Sequence, residues 1–161
     1  MTRPAFSCRL LLTALLLSPV AASAAWRVEG PFVGTVTDVA FDPAAPETVY
    51  AATSGGGVFR SDDGGNTWVL PGDGMTSREV RWIEVDPKLP SILWAGAGDT
   101  GQAALWRSLD RGKSWAKVKV DATSTALGQP VAFAPGKAGV VFEPSTNLHY
   151  RSADGGKTWQ S

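Results

Sequence analysis

The chain contains the stretch Ser61-Asp62-Asp63-Gly64-Gly65-Asn66-Thr67-Trp68 and repeats its pattern twice, as Ser108-Leu109-Asp110-Arg111-Gly112-Lys113-Ser114-Trp115 and Ser152-Ala153-Asp154-Gly155-Gly156-Lys157-Thr158-Trp159. All three fit Ser-x-Asp-x-Gly-x-Thr/Ser-Trp, here called the box, and they begin 47 and 44 residues apart. Each box follows an aromatic-Arg pair, namely Phe59-Arg60, Trp106-Arg107 or Tyr150-Arg151. Repetition at this spacing indicates an array of similar structural units.

Each repeat predicts four short strands, which in the first repeat lie at 35–41, 48–53, 58–61 and 67–70. Apolar and β-branched runs alternate with turn signals, and no stretch has helical periodicity. Four-stranded units of about 45 residues are typical of the blades of a β-propeller. The sequence therefore predicts an all-β fold of antiparallel four-stranded blades at about 34–70, 78–120 and 129–161.

The number of blades indicates an incomplete ring. Closing a propeller takes roughly four to eight blades, and the repeats account for three. Residues 26–30 resemble the strand that follows each box and predict the closing strand of a further blade. We expect residues 26–161 to be the N-terminal part of a ring of about seven blades, with the missing C-terminal blades as partners.

The first 25 residues predict a cleaved signal peptide and an exported protein, periplasmic or secreted. Arg3 and Arg9 lie near an apolar run at 10–17, and small residues follow at 21–25. The run is shorter than the roughly 20 residues that span a bilayer, so we expect no stable membrane insertion after cleavage. The single cysteine, Cys8, precedes the run, so the mature chain would hold no disulfide and no thiolate metal site.

Composition and charge argue against some classes of ligand. The 161 residues are 43% hydrophobic with 18 Gly and 11 Pro, which is typical of a turn-rich globular domain. Without the signal peptide the chain holds 13 basic and 15 acidic residues. No basic excess is available to neutralise phosphates, so we expect no nucleic-acid partner. The carboxylates do not follow the pattern of a calcium-binding loop, and we expect no metal and no cofactor.

The residues of the box are suited to holding a turn. The Asp can accept hydrogen bonds from backbone N–H groups, the Gly can adopt positive φ, and the Trp has a large apolar face for a neighbouring sheet. Catalysis or calcium binding is the alternative for the Asp, but a ring does not need one reaction centre in each blade. The predicted scaffold residues are Ser61, Asp63, Gly65, Thr67, Trp68, Ser108, Asp110, Gly112, Ser114, Trp115, Ser152, Asp154, Gly156, Thr158 and Trp159.

With these motifs the chain resembles the Asp-box, or BNR, repeat family over about residues 35–159. That family includes sialidases, xyloglucan-degrading glycoside hydrolases, sortilin-type receptor domains and photosystem II assembly factors. The resemblance implies a β-propeller whose boxes lie at the outer rim, away from a central ligand site. It does not imply a single function.

Two enzyme motifs of that family are altered or missing in this chain. The xyloglucanase-like members carry Thr-Asp-x-Gly-Gly-x-Tyr-Arg in the first blade, and its Asp is one of two catalytic carboxylates. The matching stretch here is Thr53-Ser54-Gly55-Gly56-Gly57-Val58-Phe59-Arg60, with Ser54 at the Asp position. A hydroxyl cannot supply the acid or base that glycosidic cleavage takes from paired carboxylates. The Arg-Ile-Pro motif of sialidases is absent, and Tyr50 and Tyr150 fall inside predicted strands.

Candidate ligand contacts lie in the loops that join the second strand to the third and one blade to the next. These loops share one face of a propeller, where the resemblance implies that ligands bind. The polar candidates are Asp73, Arg78, Glu79, Asp99, Gln102, Asp121 and Gln129, each of which could also be an ordinary solvated loop residue. Trp82 could stack on a sugar or pack between sheets, and His149 is expected to be a packed or surface residue.

Two functions remain open at this point. One is a non-catalytic exported propeller that binds a protein or glycan ligand or helps to assemble a complex. The other is a xyloglucanase-like or sialidase-like glycoside hydrolase with catalytic carboxylates partly in the missing blades, Asp99 being one candidate. Ser54 favours the binding protein.

Overall fold

The computed structural model describes residues 30, 33–70, 72–98, 104–118, 130–144 and 149–161. The predicted signal peptide and residues 26–29 of the predicted closing strand lie outside this part of the chain. Within it, every regular element is a β-strand. None of the described segments is a helix long and apolar enough to cross a membrane.

In the described residues, ten strands form three antiparallel sheets, which follow one another along the chain. The first sheet contains β1 (Thr35–Asp42), β2 (Ala45–Ser54) and β3 (Gly57–Ser61). The second contains β4 (Val80–Val85), β5 (Leu93–Ala97), β6 (Ala104–Ser108) and β7 (Ala116–Lys117). The third contains β8 (Ala132–Phe133), β9 (Val141–Pro144) and β10 (His149–Ser152). Neighbours in sequence are neighbours in each sheet, so every blade is an antiparallel meander.

The fourth strand is fully formed only in the second blade. There β7 pairs with β6 through Lys117 and Ala116. In the other two blades the same position is a single bridge, Arg60 with Val69 and Arg151 with Gln160. The predicted strand at 67–70 is thus shorter than expected.

The turns between the first and second strands are set by two aspartates. Asp42 Oδ1 accepts from the backbone N–H groups of Ala44 and Ala45 at 2.8 and 3.2 Å. Asp86 does the same with the two residues that follow Pro87, at 2.8 and 3.0 Å. These Asx turns lie at the Asp-Pro pairs of the first two repeats, Asp42-Pro43 and Asp86-Pro87.

The blades pack face to face in chain order. One apolar cluster lies between the first and second sheets and includes Tyr50, Ile83 and Trp106. A second lies between the second and third sheets and includes Trp94 and Val141. Each sheet buries its apolar residues against its neighbour in the sequence, as stacked repeats do.

Candidate functional site

The first box forms a turn closed by its own side chains. Asp63 Oδ1 accepts from the backbone N–H of Thr67 at 2.8 Å and from the Ser61 hydroxyl at 2.7 Å. Asp63 Oδ2 accepts from the Thr67 hydroxyl at 2.6 Å, and Ser61 Oγ accepts from Gly65 N–H at 2.8 Å. The same contacts recur around Asp110 and Asp154. The serine, aspartate and threonine side chains of each box, with Ser114 in place of threonine in the second, therefore satisfy one another.

These hydrogen bonds stabilise the charged form of the box carboxylates. The hydroxyl and amide of Thr67 lower the pKa of Asp63 to about 2, and those of Thr158 lower the pKa of Asp154 in the same way. At Asp110 burial opposes ionisation, but the hydrogen bonds from Ser114 outweigh it and the pKa is also lowered. A carboxylate that stays ionised and bonded to its own turn is poorly suited to general acid catalysis.

A glycine turn at the other end of the first blade positions Ser54. Thr53 Oγ1 is buried, accepts from Gly56 N–H at 3.1 Å and donates to the Gly57 carbonyl at 2.8 Å. A Cβ on Gly56 would lie 2.3 Å from the Val33 carbonyl oxygen, so no larger residue fits. The turn is therefore held by packing as well as by hydrogen bonds.

Arg78 and Glu79, from the connection between the first two blades, lie against this turn. Ser54 Oγ donates to Glu79 Oε2 at 2.6 Å. The Arg78 carbonyl accepts from Gly55 N–H and Gly57 N–H at 2.9 and 3.1 Å, and Arg78 Nη1 donates to the Gly56 carbonyl at 3.3 Å. Ser54, residues 55–57, Arg78 and Glu79 are called the Ser54–Glu79 site below.

The Ser54–Glu79 site combines opposite charges on a fixed backbone. Glu79 and Ser54 are half-buried and Arg78 is exposed. The Glu79 carbonyl accepts from Gly98 N–H at 3.0 Å, which also ties the site to the second blade. A carboxylate and a guanidinium that contact the same glycine turn can bind donors and acceptors together, as peptide backbones and sugar hydroxyls present them.

Two other predicted contacts lie away from this site. The Asp73 carbonyl accepts from Trp115 N–H at 3.0 Å, and Asp73 bridges to Ser114 in the second box. In the connection between the first two blades, Arg78 and Glu79 therefore lie beside Ser54, and Asp73 does not. Trp82 is 7% exposed in the cluster between the second and third sheets, with its ring against Gly96. This burial supports packing and leaves little ring surface for a sugar.

The remaining predicted contacts, Asp99, Gln102, Asp121 and Gln129, lie outside the described residues. His149 is exposed on β10. Across the described ranges, no group of three or more His, Cys, Asp or Glu side chains is placed to hold a metal ion.

The structure also contains a buried carboxyl that the sequence analysis did not single out. Glu143 on β9 is 4% exposed and occupies the position of Ala51 and Ala95 in the first two blades. Its Oε2 has no hydrogen-bond partner within the described part of the chain. Burial raises the pKa of Glu143 to about 7. The signal in the sequence was a single acidic residue within the otherwise apolar strand β9 (Val141–Pro144).

Comparisons with known proteins agree with the repeat pattern. The family model of the BNR/Asp-box repeat matches residues 150–161. A xyloglucanase from Paenibacillus sp. is 30% identical over 77% of this chain and 16% of its own length. The photosystem II assembly protein Ycf48 of Synechococcus is 28% identical over 84% of this chain and 39% of its own length. The chain thus spans well under half the length of these relatives.

Solved structures agree on the fold. The GH74 xyloglucanase from Xanthomonas campestris has a TM-score of 0.64 at 26% identity, over 83% of this chain and 21% of that chain. YCF48 from Cyanidioschyzon merolae has a TM-score of 0.59 at 20% identity, over 85% of this chain and 40% of that chain. Both are β-propellers.

The fold is therefore that of a β-propeller, of which the described residues form three blades. The chain is similar to the Asp-box, or BNR, repeat family, whose model matches residues 150–161. The predictions of an all-β propeller and of this family are both confirmed.

Proposed function

We propose that this chain is part of an exported, non-catalytic Asp-box propeller that binds a protein or glycan ligand through the Ser54–Glu79 site. The observation that carries the proposal is the 2.6 Å hydrogen bond from Ser54 Oγ to Glu79 Oε2. Ser54 stands where the resembling xyloglucanase motif has an aspartate, and its proton is already donated to a neighbour. Such a hydroxyl can neither protonate a glycosidic oxygen nor activate water.

The similar proteins support two ligand classes for this site. A YCF48 structure bound to a D1 peptide has a TM-score of 0.58 to this chain at 19% identity. The curated relatives include xyloglucanases. The neighbouring charges of Arg78 and Glu79 suit the mixed donors and acceptors of either a peptide or a glycan.

Binding can be tested by calorimetry with xyloglucan oligosaccharides and, separately, with a library of short unstructured peptides. Glu79→Gln and Arg78→Ala should each weaken binding of the same ligand class by about tenfold, because each removes a hydrogen bond to a charged group. Glu47→Gln, at an exposed carboxylate on β2 that lies beside Gly64 of the first box, is the matched control and should leave binding unchanged. Equal affinity of the Glu79 and Glu47 variants would contradict the assignment of the site.

A glycoside hydrolase is the second candidate, and Glu79 is the observation that favours it. Its carboxylate lies 2.6 Å from Ser54 Oγ, so the site does contain an acid, supplied by the next blade. A hydrolase would need a second carboxylate roughly 5 to 9.5 Å away. Release of reducing sugar from xyloglucan by the full-length protein, lost in Glu79→Gln, would establish the enzyme and overturn the binding proposal.

Export is part of the same proposal and rests on residues 1–25. Protein recovered from the periplasm or medium should have an intact mass lower by about the first 25 residues. An uncleaved chain recovered from the membrane would contradict export.

A further inference from the structure

A cleft lies between the second sheet and the connection that reaches it from the first blade. Ala97, Ala104 and Lys117 line it from β5, β6 and β7, and Thr76 and Ser77 line it from the connection. These residues define what is called the Lys117 cleft below. Its open volume is about 550 Å³, including the solvent at its mouth, which is within the range of ligand pockets.

Two alanines form the floor of the Lys117 cleft. Ala97 pairs with Ala104, whereas the same register positions of the first blade hold Thr53 and Gly57. The Thr53 hydroxyl donates to the Gly57 carbonyl at 2.8 Å and closes that end of the first blade. Alanine methyl groups make no such bond, and Ala97 and Ala104 are 0% and 5% exposed. The second blade therefore has a small apolar floor where the first blade has a closed turn.

The rim of the cleft is polar and positively charged. Lys117 and Thr76 are exposed, and Ser77 is half-buried. Lys117 is the direct cross-strand partner of Trp106, which also lines the cleft. Among the described lining residues, Lys117 is the only charged one. A lysine has three donors and no acceptor, so the cleft suits a ligand that brings a negatively charged acceptor.

The Lys117 cleft adjoins the Ser54–Glu79 site. Ser77 Oγ accepts from Glu79 N–H at 3.3 Å, and the Glu79 carbonyl accepts from Gly98 N–H at 3.0 Å. Ser77 and Gly98 both line the cleft. Ser77 and Glu79 are two positions apart, which is at most about 7 Å along an extended chain. A short segment of ligand at the Ser54–Glu79 site therefore lies beside the cleft.

Two observations favour a peptide over a neutral glycan in the cleft. Trp106, the aromatic residue among the described lining, is 5% exposed in the cluster between the first and second sheets. Its ring therefore offers little surface on which a sugar can pack. A neutral glycan also brings no charge to Lys117. An Asp or Glu side chain brings a carboxylate on a short apolar stem, which matches a lysine above an alanine floor.

We propose that the Lys117 cleft binds an acidic side chain of a peptide segment whose neighbouring residues occupy the Ser54–Glu79 site. The carboxylate pairs with Lys117, and the Thr76 hydroxyl is a further donor. Glu79 selects a donor group on the ligand, and Lys117 selects an acidic group a few residues away. The inference rests on the proposed function, and it narrows the ligand from a protein or glycan to an acidic segment of a protein.

Positional scanning with short peptides tests this proposal on the full-length protein. Each peptide pool has one fixed residue and is random elsewhere, and fluorescence polarisation measures its affinity. At one position, Asp or Glu should bind about fivefold more tightly than Asn or Gln, which is the size expected of a solvent-exposed ion pair. High salt should weaken this preference, because it screens exposed charges.

Charge reversal at the rim sharpens the test. Lys117→Glu should change the preference at that position from Asp and Glu to Lys and Arg, and Lys117→Gln should abolish it. Lys113→Glu, at an exposed lysine of the second box outside the cleft, is the matched control and should leave the preference unchanged. Glu79→Gln should weaken the binding of all peptides and keep the acidic preference.

The outcomes distinguish this inference from the proposed function. Peptides whose binding depends on Glu79 but shows no acidic preference would overturn the role of the cleft and leave the Ser54–Glu79 site in place. An acidic preference that survives Lys117→Glu would also overturn it. Binding of neutral xyloglucan oligosaccharides without any peptide would overturn the acidic ligand and keep the glycan form of the proposed function. Binding of neither probe would overturn both.

Discussion

The two ends of the first blade differ in whether their polar contacts recur in the other blades. At the box end, Ser61 and Asp63 make contacts that the second and third blades repeat with the same atoms and nearly the same distances. At the opposite end, Ser54 bonds to Glu79, whereas the equivalent residue of the second blade is Gly98, which has no side chain to do so. Contacts made in every blade serve the fold. We propose that the contact of Ser54 with Glu79, which the second blade lacks, is available for a ligand.

The largest expected effect is at the box tryptophan that lies between two blades. Trp115 is 5% exposed in the cluster between the first and second sheets, so Trp115→Ala should cost about 3 to 5 kcal/mol of unfolding free energy. Trp68→Ala changes the same box position in the first blade, where the ring is only half-buried, and should cost less. Denaturant unfolding measures both. Equal losses would mean that packing between blades contributes little at this position.

Glu143 fits neither end of the first blade in the comparison above. Its carboxyl occurs in one of the three blades, yet it is buried. Burial raises the pKa of Glu143 from 4.5 to about 7, so the folded chain holds this proton more tightly than the unfolded chain. Stability should fall as pH rises from about 4.5 to about 7, by up to about 3 kcal/mol, and then level off. Glu143→Gln keeps the shape without the charge and should abolish this slope in unfolding measured across the pH range. An unchanged slope would assign the pH dependence to another group.

Removing a box carboxylate should have an intermediate effect. Asp110→Ala leaves the Ser114 N–H and the hydroxyls of Ser108 and Ser114 without their acceptor, at a cost of about 1 to 3 kcal/mol. Leu109→Ala, at the exposed neighbour, is the control and should change stability little. The measurement is denaturant unfolding, with ligand binding followed in parallel. Unchanged stability with lost binding would move Asp110 from the scaffold to the ligand site.

The smallest effect is expected at Arg111, where the second box departs from the other two. Arg111 has a φ of 60°, where the equivalent residues are Gly64 and Gly155. Its guanidinium lies 3.3 Å from the buried carboxylate of Asp42. Arg111→Gly relieves the backbone but removes this ion pair, so we expect a net change within about 1 kcal/mol.

Arg111→Lys separates those two effects, because it keeps a positive charge and the unfavourable φ. It should be less stable than Arg111→Gly by denaturant unfolding if the backbone dominates. A loss of about 3 kcal/mol or more in Arg111→Gly would show that the pair with Asp42 dominates instead.

The sequence predicted the parts of the molecule that depend on local contacts. The bonds within the first box join residues two to four positions apart, so the pattern Ser-x-Asp-x-Gly was sufficient to predict an Asx-type turn. The contact of Ser54 with Glu79 spans 25 positions, and that of Arg60 with Arg111 spans 51. The aromatic-Arg pairs were visible as a repeat, but their role depends on how one sheet faces the next.

The sequence also did not predict the path of the connection between the first two blades. Asp73, Arg78 and Glu79 were grouped because they share one loop, yet Asp73 lies beside the second box and the other two lie beside Ser54. Backbone bonds from Trp115 and Gly98 fix that path, and neither bond has a signature in side-chain identity. The interior position of Trp82 likewise required knowledge of the third sheet.

The arginine of an aromatic-Arg pair donates to a backbone carbonyl of the next box, and this joint between blades has a consequence for how such genes can change in length. A single repeat encodes both sides of such a joint. In the second blade, Arg107 and Trp94 contact the box of the third blade, and Arg111 and Gly112 contact Arg60 and Tyr50 of the first blade. Recombination between two boxes would therefore add or delete one whole repeat and leave every remaining junction with a compatible pair. An insertion of half a repeat would separate an arginine from its aromatic partner. Viable length variants of this chain should therefore differ by multiples of one repeat.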